Sequence, residues 1–133
     1  MLELVEDLLG MPYRMGARLP GSGTDCFGLV VECCRRMGRP IPDPYVSSDR
    51  PRDAEQWDAK RWITERLSGW RRCEGPVVGG IVELFGMEHP AHVGFVISQT
   101  QFLHSLQKTG AVVSRLDREP WCHRIVGFYV YGD

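Results

Sequence analysis

The stretch that decides the fold is Gly23-Thr24-Asp25-Cys26-Phe27-Gly28-Leu29-Val30. It places Cys26 where a glycine-rich loop turns into an apolar helix, which the spacing predicts over residues 26–37. The start of a helix carries unpaired N–H groups and the positive end of the helix dipole, and both stabilise an anion. We therefore expect the thiol of Cys26 to lose its proton easily and to act as a nucleophile near neutral pH. Asp25 is expected to cap this helix.

The second half of the chain has the alternating pattern of β-strands. Apolar and polar residues alternate, with turn residues between the runs, over residues 81–85, 91–98, 101–106, 111–116 and 124–131. Residues 1–9 and 53–67 are predicted to be helical, whereas residues 10–24 and 38–52 are predicted to be loops. Helices followed by an antiparallel meander indicate an α+β fold, in which the helices pack on one face of a sheet of about five strands.

Two histidines, His92 and His104, fall in adjacent predicted strands. If these strands pair as a tight hairpin, both imidazoles are expected to face the helix that carries Cys26. A thiol nucleophile needs a base close by, and that base must be held in one tautomer by a third group. We predict that His92 is the base and that His104 orients it. Backbone N–H groups at the start of the helix are then suited to hold the oxyanion of an acyl transfer.

Length, charge and composition argue against several other classes of function. The 133 residues predict one domain over the whole chain, and a net charge of -1 gives no field that attracts nucleic acid or acidic membranes. No apolar run is long enough to span a bilayer, and the acidic residues within 1–9 argue against a secretory signal. Neither a metal nor another cofactor is expected, because no Cys-x-x-Cys pair accompanies the histidines.

The remaining cysteines and histidines are assigned structural roles. Five cysteines without regular spacing argue against a disulfide framework and favour synthesis in a reducing compartment. Four of them are expected to be small buried apolar residues: Cys33, Cys34, Cys73 and Cys122. His89 and His123 are expected to be structural.

Four segments together resemble the NlpC-type cysteine peptidases, which are papain-like hydrolases of bacterial cell-wall peptides. The segments are Gly10-Met11-Pro12-Tyr13, Thr24-Asp25-Cys26-Phe27-Gly28-Leu29-Val30, His92-Val93-Gly94-Phe95-Val96 and Phe102-Leu103-His104-Ser105. The resemblance covers about residues 8–130. It implies that Cys26 is the nucleophile, His92 the base and His104 the orienting residue, and that Tyr13 stands near the nucleophile.

The resemblance also implies a substrate and a setting. Typical members of the family cleave the stem peptide of peptidoglycan, often between D-glutamate and diaminopimelate. Most members have serine after the nucleophile, whereas Phe27 resembles the versions found in phage tail proteins. The resemblance therefore implies a phage tail-tip component that opens the cell wall locally. Such a component is made in the bacterial cytoplasm without a signal peptide and joins other tail-tip proteins in the virion.

Three alternatives stay open from the sequence. The chain can be a catalytically silent structural module of a tail assembly. It can be a related thiol enzyme that acts on another amide or on a lipid ester, because loops rather than motif spacing shape a substrate pocket. It can also be a zinc protein that uses Cys26, His92 and His104 as ligands.

Overall fold

A computed structural model describes residues 1–19, 23–43, 69–85 and 92–132 of the chain. Within these ranges the helical elements are α1 (Leu2–Val5), a 3-10 turn (Glu6–Leu8), α2 (Cys26–Arg36) and a second 3-10 turn (Trp121–His123). The strands are β1 (Arg18–Leu19), β2 (Gly23–Thr24), β3 (Trp70–Cys73), β4 (Ile81–Leu84), β5 (His92–Val96), β6 (Gln101–Leu106), β7 (Gly110–Arg115) and β8 (Ile125–Tyr131). No helix within these ranges is long and apolar enough to cross a membrane.

The main sheet has six antiparallel strands in the order β3-β8-β4-β5-β6-β7. The predicted meander is confirmed for β4 to β7, whereas β8 returns to lie between β4 and β3. The expectation of about five strands misses β3, which pairs with β8 at the edge of the sheet. Arg71 and Arg72 occupy the middle of β3 and are exposed. An edge strand with two consecutive arginines does not show the apolar alternation that identifies a strand in a sequence.

The segment before the helix is more ordered than a loop. β1 and β2 form a small antiparallel pair in which Arg18 lies opposite Thr24. Tyr13 forms an isolated parallel bridge with Thr24, so a third segment lies alongside. Strands of two residues are too short to show a sequence period, which is why the sequence predicts a loop over residues 10–24.

Helix α2 packs on one face of the sheet, as the fold class predicts. Its boundaries lie within one residue of the predicted helix, and Gly38 follows it with a φ of 75°. The helix and the sheet share one apolar cluster. Its helix members are Cys26, Phe27, Leu29, Val30, Cys33 and Cys34, and its sheet members include Ile81, Val93, Phe95, Leu103 and Ala111.

The opposite face of the sheet is covered as well. A second apolar cluster contains Val82, Leu84, Val96, Phe102, Leu116 and Trp121. Trp121 comes from the 3-10 turn in the connection between β7 and β8. The described sheet is therefore covered by α2 on one face and by Trp121 of this connection on the other.

Some of the predicted elements and residues lie outside the ranges that the structure describes. The predicted helix over residues 53–67, most of the loop over residues 38–52, and His89 lie outside them. All five cysteines are free, and Cys33 and Cys34 are buried as predicted. The same prediction is wrong for Cys73 and Cys122, which are half-buried. Cys73 is the last residue of the edge strand β3, and Cys122 lies in the second 3-10 turn. Neither element was predicted from the sequence.

Candidate active site

A buried carboxylate fixes the start of helix α2. Asp25 is the helix cap, as predicted, and its Oδ1 accepts from the backbone N–H of Gly28 at 2.8 Å. Its Oδ2 accepts from the N–H of Gly16 at 2.9 Å, and Oδ1 also accepts from the guanidinium of Arg18 at 2.8 Å. Arg18 in turn donates to Asp43, so one arginine joins two carboxylates. Cys26 is therefore the first residue of a helix whose start is held by ion pairs and backbone contacts.

Gly28 permits this close packing. A Cβ atom at this position would lie 2.3 Å from Oγ1 of Thr24 and 2.8 Å from Nη1 of Arg18. These distances are shorter than van der Waals contact, so a side chain would push the helix away from its cap. Close packing against Thr24 and Arg18 is therefore the physical reason for glycine at this position of the Asp-Cys-x-Gly pattern.

Tyr13 lies next to the segment that leads into the helix. The N–H of Arg14 donates to the carbonyl of Thr24 at 3.0 Å, and the N–H of Thr24 donates to the carbonyl of Pro12 at 3.0 Å. These two bonds place half-buried Tyr13 beside Thr24, two residues before Cys26. A role for Tyr13 in positioning the nucleophile or the oxyanion stays a prediction.

The thiol of Cys26 is buried, with 6% of the residue exposed. Burial and the carboxylate of Asp25 raise its pKa to about 12, although the backbone amides of Val93 and Phe27 act in the opposite direction. The prediction that the helix start makes this thiol acidic is therefore wrong in direction. A thiolate at this depth loses its hydration, and two amides do not replace it. The backbone amide of Val93 nevertheless contacts the sulfur. This contact places the thiol at the peptide bond between His92 and Val93, the first two residues of β5.

His92 and His104 form a buried pair. Nε2 of His92 lies 2.7 Å from Nδ1 of His104, and the two residues are 5% and 0% exposed. Their strands are antiparallel neighbours, as predicted, in the register that pairs Phe95 with Leu103. Gly94 lies two residues after His92 on the same face of the sheet. A Cβ atom there would lie 2.6 Å from Cδ2 of Phe102 and 3.3 Å from Cβ of His104.

The two imidazoles lie on the face of the sheet away from α2, so the predicted direction is wrong. The ring of Trp121 stacks on His92 at a centroid distance of 5.7 Å and meets His104 edge-on at 4.9 Å. The helix instead packs on the neighbouring residues Val93 and Phe95. Alternation shows which residues share a face, but it does not show which face a helix covers. The thiol consequently meets β5 at its first peptide group rather than across the face of the sheet.

A further polar contact follows His104. Its Nε2 lies 2.7 Å from Oγ of Ser114 on β7. Burial, together with the neighbouring His92, lowers the pKa of His104 to about 2, so this ring is neutral at any pH at which the protein is expected to work. Sequence reasoning found both histidines but missed Ser114, Trp121 and Arg18. The first two contact the histidines only through strand register and a distant turn, and neither belongs to a recognisable local pattern.

These side chains do not form a metal centre. The zinc alternative requires Cys26, His92 and His104 as ligands. In the part of the chain that the structure describes, no group of three or more histidine, cysteine, aspartate or glutamate residues is arranged to hold a metal ion.

Comparison with known families decides where this arrangement belongs. The NlpC/P60 family matches residues 10–130, which is nearly the whole chain. The chain belongs to the NlpC/P60 family. Members of this family are generally cysteine peptidases that act on peptidoglycan. The match includes each of the residues that form the thiol and histidine arrangement. A search among curated proteins gives no match.

Solved NlpC/P60 structures share the fold. A protein described as similar to a lipoprotein of the NLP/P60 family, from Staphylococcus aureus, superposes with a TM-score of 0.65 at 17% identity, over 99% of this chain and 40% of that one. The NlpC/p60 domain of the peptidoglycan hydrolase SagA gives a TM-score of 0.58 at 17% identity, over 97% of this chain and 93% of that domain. NlpC2 from Trichomonas vaginalis gives 0.59 at 19% identity, over 97% and 44%. This chain thus spans less than half of the first and the third of these proteins.

Proposed function

We propose that this chain is a cysteine peptidase that hydrolyses stem peptides of peptidoglycan. The observation that carries the proposal is the position of the Cys26 thiol at the peptide group that joins His92 to Val93, together with the hydrogen bond between the rings of His92 and His104. Membership of the NlpC/P60 family supports the reaction class, and the solved domain of a peptidoglycan hydrolase supports the substrate class.

The burial of the thiol favours a general-base mechanism. Burial and Asp25 favour the neutral thiol, so in the proposed mechanism His92 takes the proton from sulfur as the sulfur attacks the carbonyl carbon of the substrate. A carbon–sulfur bond forms, and the resulting oxyanion is held by the N–H of Cys26 at the helix start. The imidazolium of His92 then gives its proton to the leaving amine as the carbon–nitrogen bond breaks. In the second half of the cycle His92 takes a proton from water, whose oxygen attacks the acyl carbon; the carbon–sulfur bond breaks, and the sulfur regains its proton from His92.

His104 supports this cycle without changing its own charge. Its low pKa keeps it neutral, so it can accept a hydrogen bond from Nε2–H of His92 in every state of the reaction. Accepting that bond orients the ring and stabilises the imidazolium that forms on His92. Tyr13, beside Thr24, is proposed to position the nucleophile or the oxyanion.

The finer proposal concerns the bond and the setting. We propose cleavage between D-glutamate and diaminopimelate, by a component of a phage tail tip made in the host cytoplasm. The resemblance of the Cys26-Phe27 dipeptide to tail-associated versions supports this setting. Other tail-tip proteins are the expected partners.

The deciding experiment compares the wild type with Cys26→Ala on purified diaminopimelate-type peptidoglycan. We expect released peptides with a new amino group on diaminopimelate, identified by mass spectrometry, and a loss of about 10³-fold or more in the variant. Cys73→Ala is the matched control, because Cys73 is half-buried on the edge strand β3, separated from β5 by two strands, and it should retain full activity. Equal release by the wild type and Cys26→Ala would overturn the proposal.

One observation favours a second candidate function, the silent structural module. The thiol is buried and its pKa is raised, and a cysteine that has lost its catalytic role would show the same two properties. A wild type that folds, binds other tail components and releases no peptide from peptidoglycan of any chemotype would establish this alternative. Release of peptides that depends on Cys26 excludes it.

A further inference from the structure

The hydrogen bond between His92 and His104 continues to a third side chain, Ser114. Ser114 lies on β7, which pairs with β6 in the register that sets Phe102 opposite Ser114 and His104 opposite Val112. Ser114 is therefore the diagonal neighbour of His104 on the same face of the sheet. Its Oγ lies 2.7 Å from Nε2 of His104, a distance typical of a hydrogen bond.

The direction of each hydrogen bond follows from the chemistry of the first ring. For His92 to take a proton from the thiol through Nδ1, its Nε2 must carry the hydrogen and donate it to Nδ1 of His104. A neutral His104 that accepts at Nδ1 carries its own hydrogen at Nε2. That hydrogen points at Oγ of Ser114, which must accept it.

We propose that Ser114 is a positioning residue for this site: by accepting from Nε2–H of His104, it holds His104 in the tautomer whose Nδ1 receives the hydrogen of His92. The catalytic consequence rests on the proposed function, whereas the tautomer itself does not. Ser114 touches neither the substrate nor the reacting atoms, so its effect passes through His104 and His92.

Removing the hydroxyl leaves His104 two unfavourable choices. His104 is fully buried, so in the Nε2–H tautomer it would keep an N–H group without an acceptor. In the Nδ1–H tautomer it would instead donate to Nε2 of His92. His92 would then carry its hydrogen on Nδ1, the nitrogen that has to take the proton of the thiol. Because a buried N–H group without an acceptor is costly, the Nδ1–H tautomer becomes the favoured one, and the base is weakened.

The test uses a pair of variants of nearly equal shape. Ser114→Thr keeps a hydroxyl on a half-buried strand residue, and Ser114→Val replaces that hydroxyl with a methyl group. We expect Ser114→Thr to retain kcat within about threefold. Ser114→Val should lose about 10- to 100-fold in kcat with KM unchanged, by analogy with the loss seen when the hydrogen-bond partner of a metal-ligating histidine is removed. Equal kcat for the two variants, at matched thermal stability, would overturn the catalytic part.

Imidazole ¹⁵N NMR tests the tautomer without any substrate. In the wild type and in Ser114→Thr, the ¹⁵N shifts of His104 should be those of a neutral ring protonated at Nε2. In Ser114→Val they should move toward the Nδ1–H form. A wild-type His104 protonated at Nδ1, or an unchanged spectrum in Ser114→Val, contradicts the proposal. If the wild type releases no peptide, the proposed function fails, yet the NMR result still decides the role of Ser114.

Discussion

The thiol of Cys26 is subject to two opposing effects. The helix start and the amides of Val93 and Phe27 favour the thiolate, whereas burial and Asp25 favour the neutral thiol. Burial is the larger effect, since a sulfur anion loses most of its hydration at this depth. The neutral thiol is therefore the favoured resting form of Cys26, and in the proposed mechanism its proton leaves as the sulfur attacks.

This resting state predicts how Cys26 reacts with iodoacetamide. Because its pKa is raised to about 12, the thiolate fraction and hence the rate of alkylation should rise about tenfold per pH unit between pH 7 and pH 10. Peptide mapping by mass spectrometry measures the rate at Cys26 alone, with Cys122 in the same digest as the control for the reagent. A rate that is already constant below pH 7 would instead indicate a preformed thiolate–imidazolium pair.

At the residue scale the sequence predicts side chains that belong to local patterns. Cys26 follows a cap and precedes a glycine, and His92 and His104 lie in strands with clear alternation. Ser114 and Arg18 belong to no such pattern. Arg18 meets Asp43 across 25 positions and Ser114 meets His104 through strand register, so both contacts arise only on folding.

Among the elements, the start of α2 depends on one ion-pair network. Arg18 is largely buried between Asp25 and Asp43. Burial alone would lower the pKa of Arg18, but the two carboxylates raise it, so the guanidinium stays charged. The network links β1, the helix cap and the segment after α2. It holds the residue that carries the thiol in place.

Arg18→Met should therefore destabilise the protein strongly. It leaves the carboxylate of Asp25 buried without its cation, which costs about 3–5 kcal/mol in the free energy of unfolding. Urea denaturation measures the loss. Arg115→Met is the matched control, because Arg115 pairs with Asp117 in an exposed salt bridge, and its denaturation midpoint should stay near that of the wild type. If the free energy of unfolding fell no further in Arg18→Met than in Arg115→Met, the stabilising role of the ion-pair network would be contradicted.

At the same scale, sequence periodicity predicted the elements but not all of their contacts. The boundaries of α2, β6 and β8 agree closely with the prediction, because each has an uninterrupted pattern and a clear stop signal. β3 was missed because arginines interrupt its pattern. The face on which the histidines lie was wrong, since packing on Val93 and Phe95 decides which side α2 covers.

On the scale of the whole molecule, the described sheet buries His92 and His104 together on one of its two covered faces. The α2 face carries the larger apolar cluster, and its buried polar residues are Glu83 and Ser105, which lie opposite Val93 and Ala111. The other face places His104 among Phe102, Trp121 and the second histidine. The stability of this layer is consequently tied to the charge of its histidines.

Acid should therefore weaken the fold before the carboxyl groups titrate. The pKa of His104 falls from 6.5 in the unfolded chain to about 2 in the native protein, through burial and His92. The unfolded chain then binds a proton that the native state does not, so stability is lost as the pH falls below about 6.5. Urea midpoints at pH 7.5 and pH 5 measure the loss.

The control for the acid experiment removes the titrating group. His104→Gln should show a smaller drop in midpoint between the two pH values. His123→Gln should show the full drop, because His123 is exposed. The same pH dependence in His104→Gln as in the wild type would contradict the assignment to His104.

Gly94 gives the hairpin a particular evolutionary constraint. The space beside this residue has no room for a methyl group, because the Phe102 ring, the Leu103 carbonyl and Cβ of His104 surround it. A side chain there would displace the Phe102 ring and press on Cβ of His104, which disturbs the bond between the two imidazoles. A relative that carries a larger residue at position 94 is thus expected either to have repacked Phe102 or to have lost that bond.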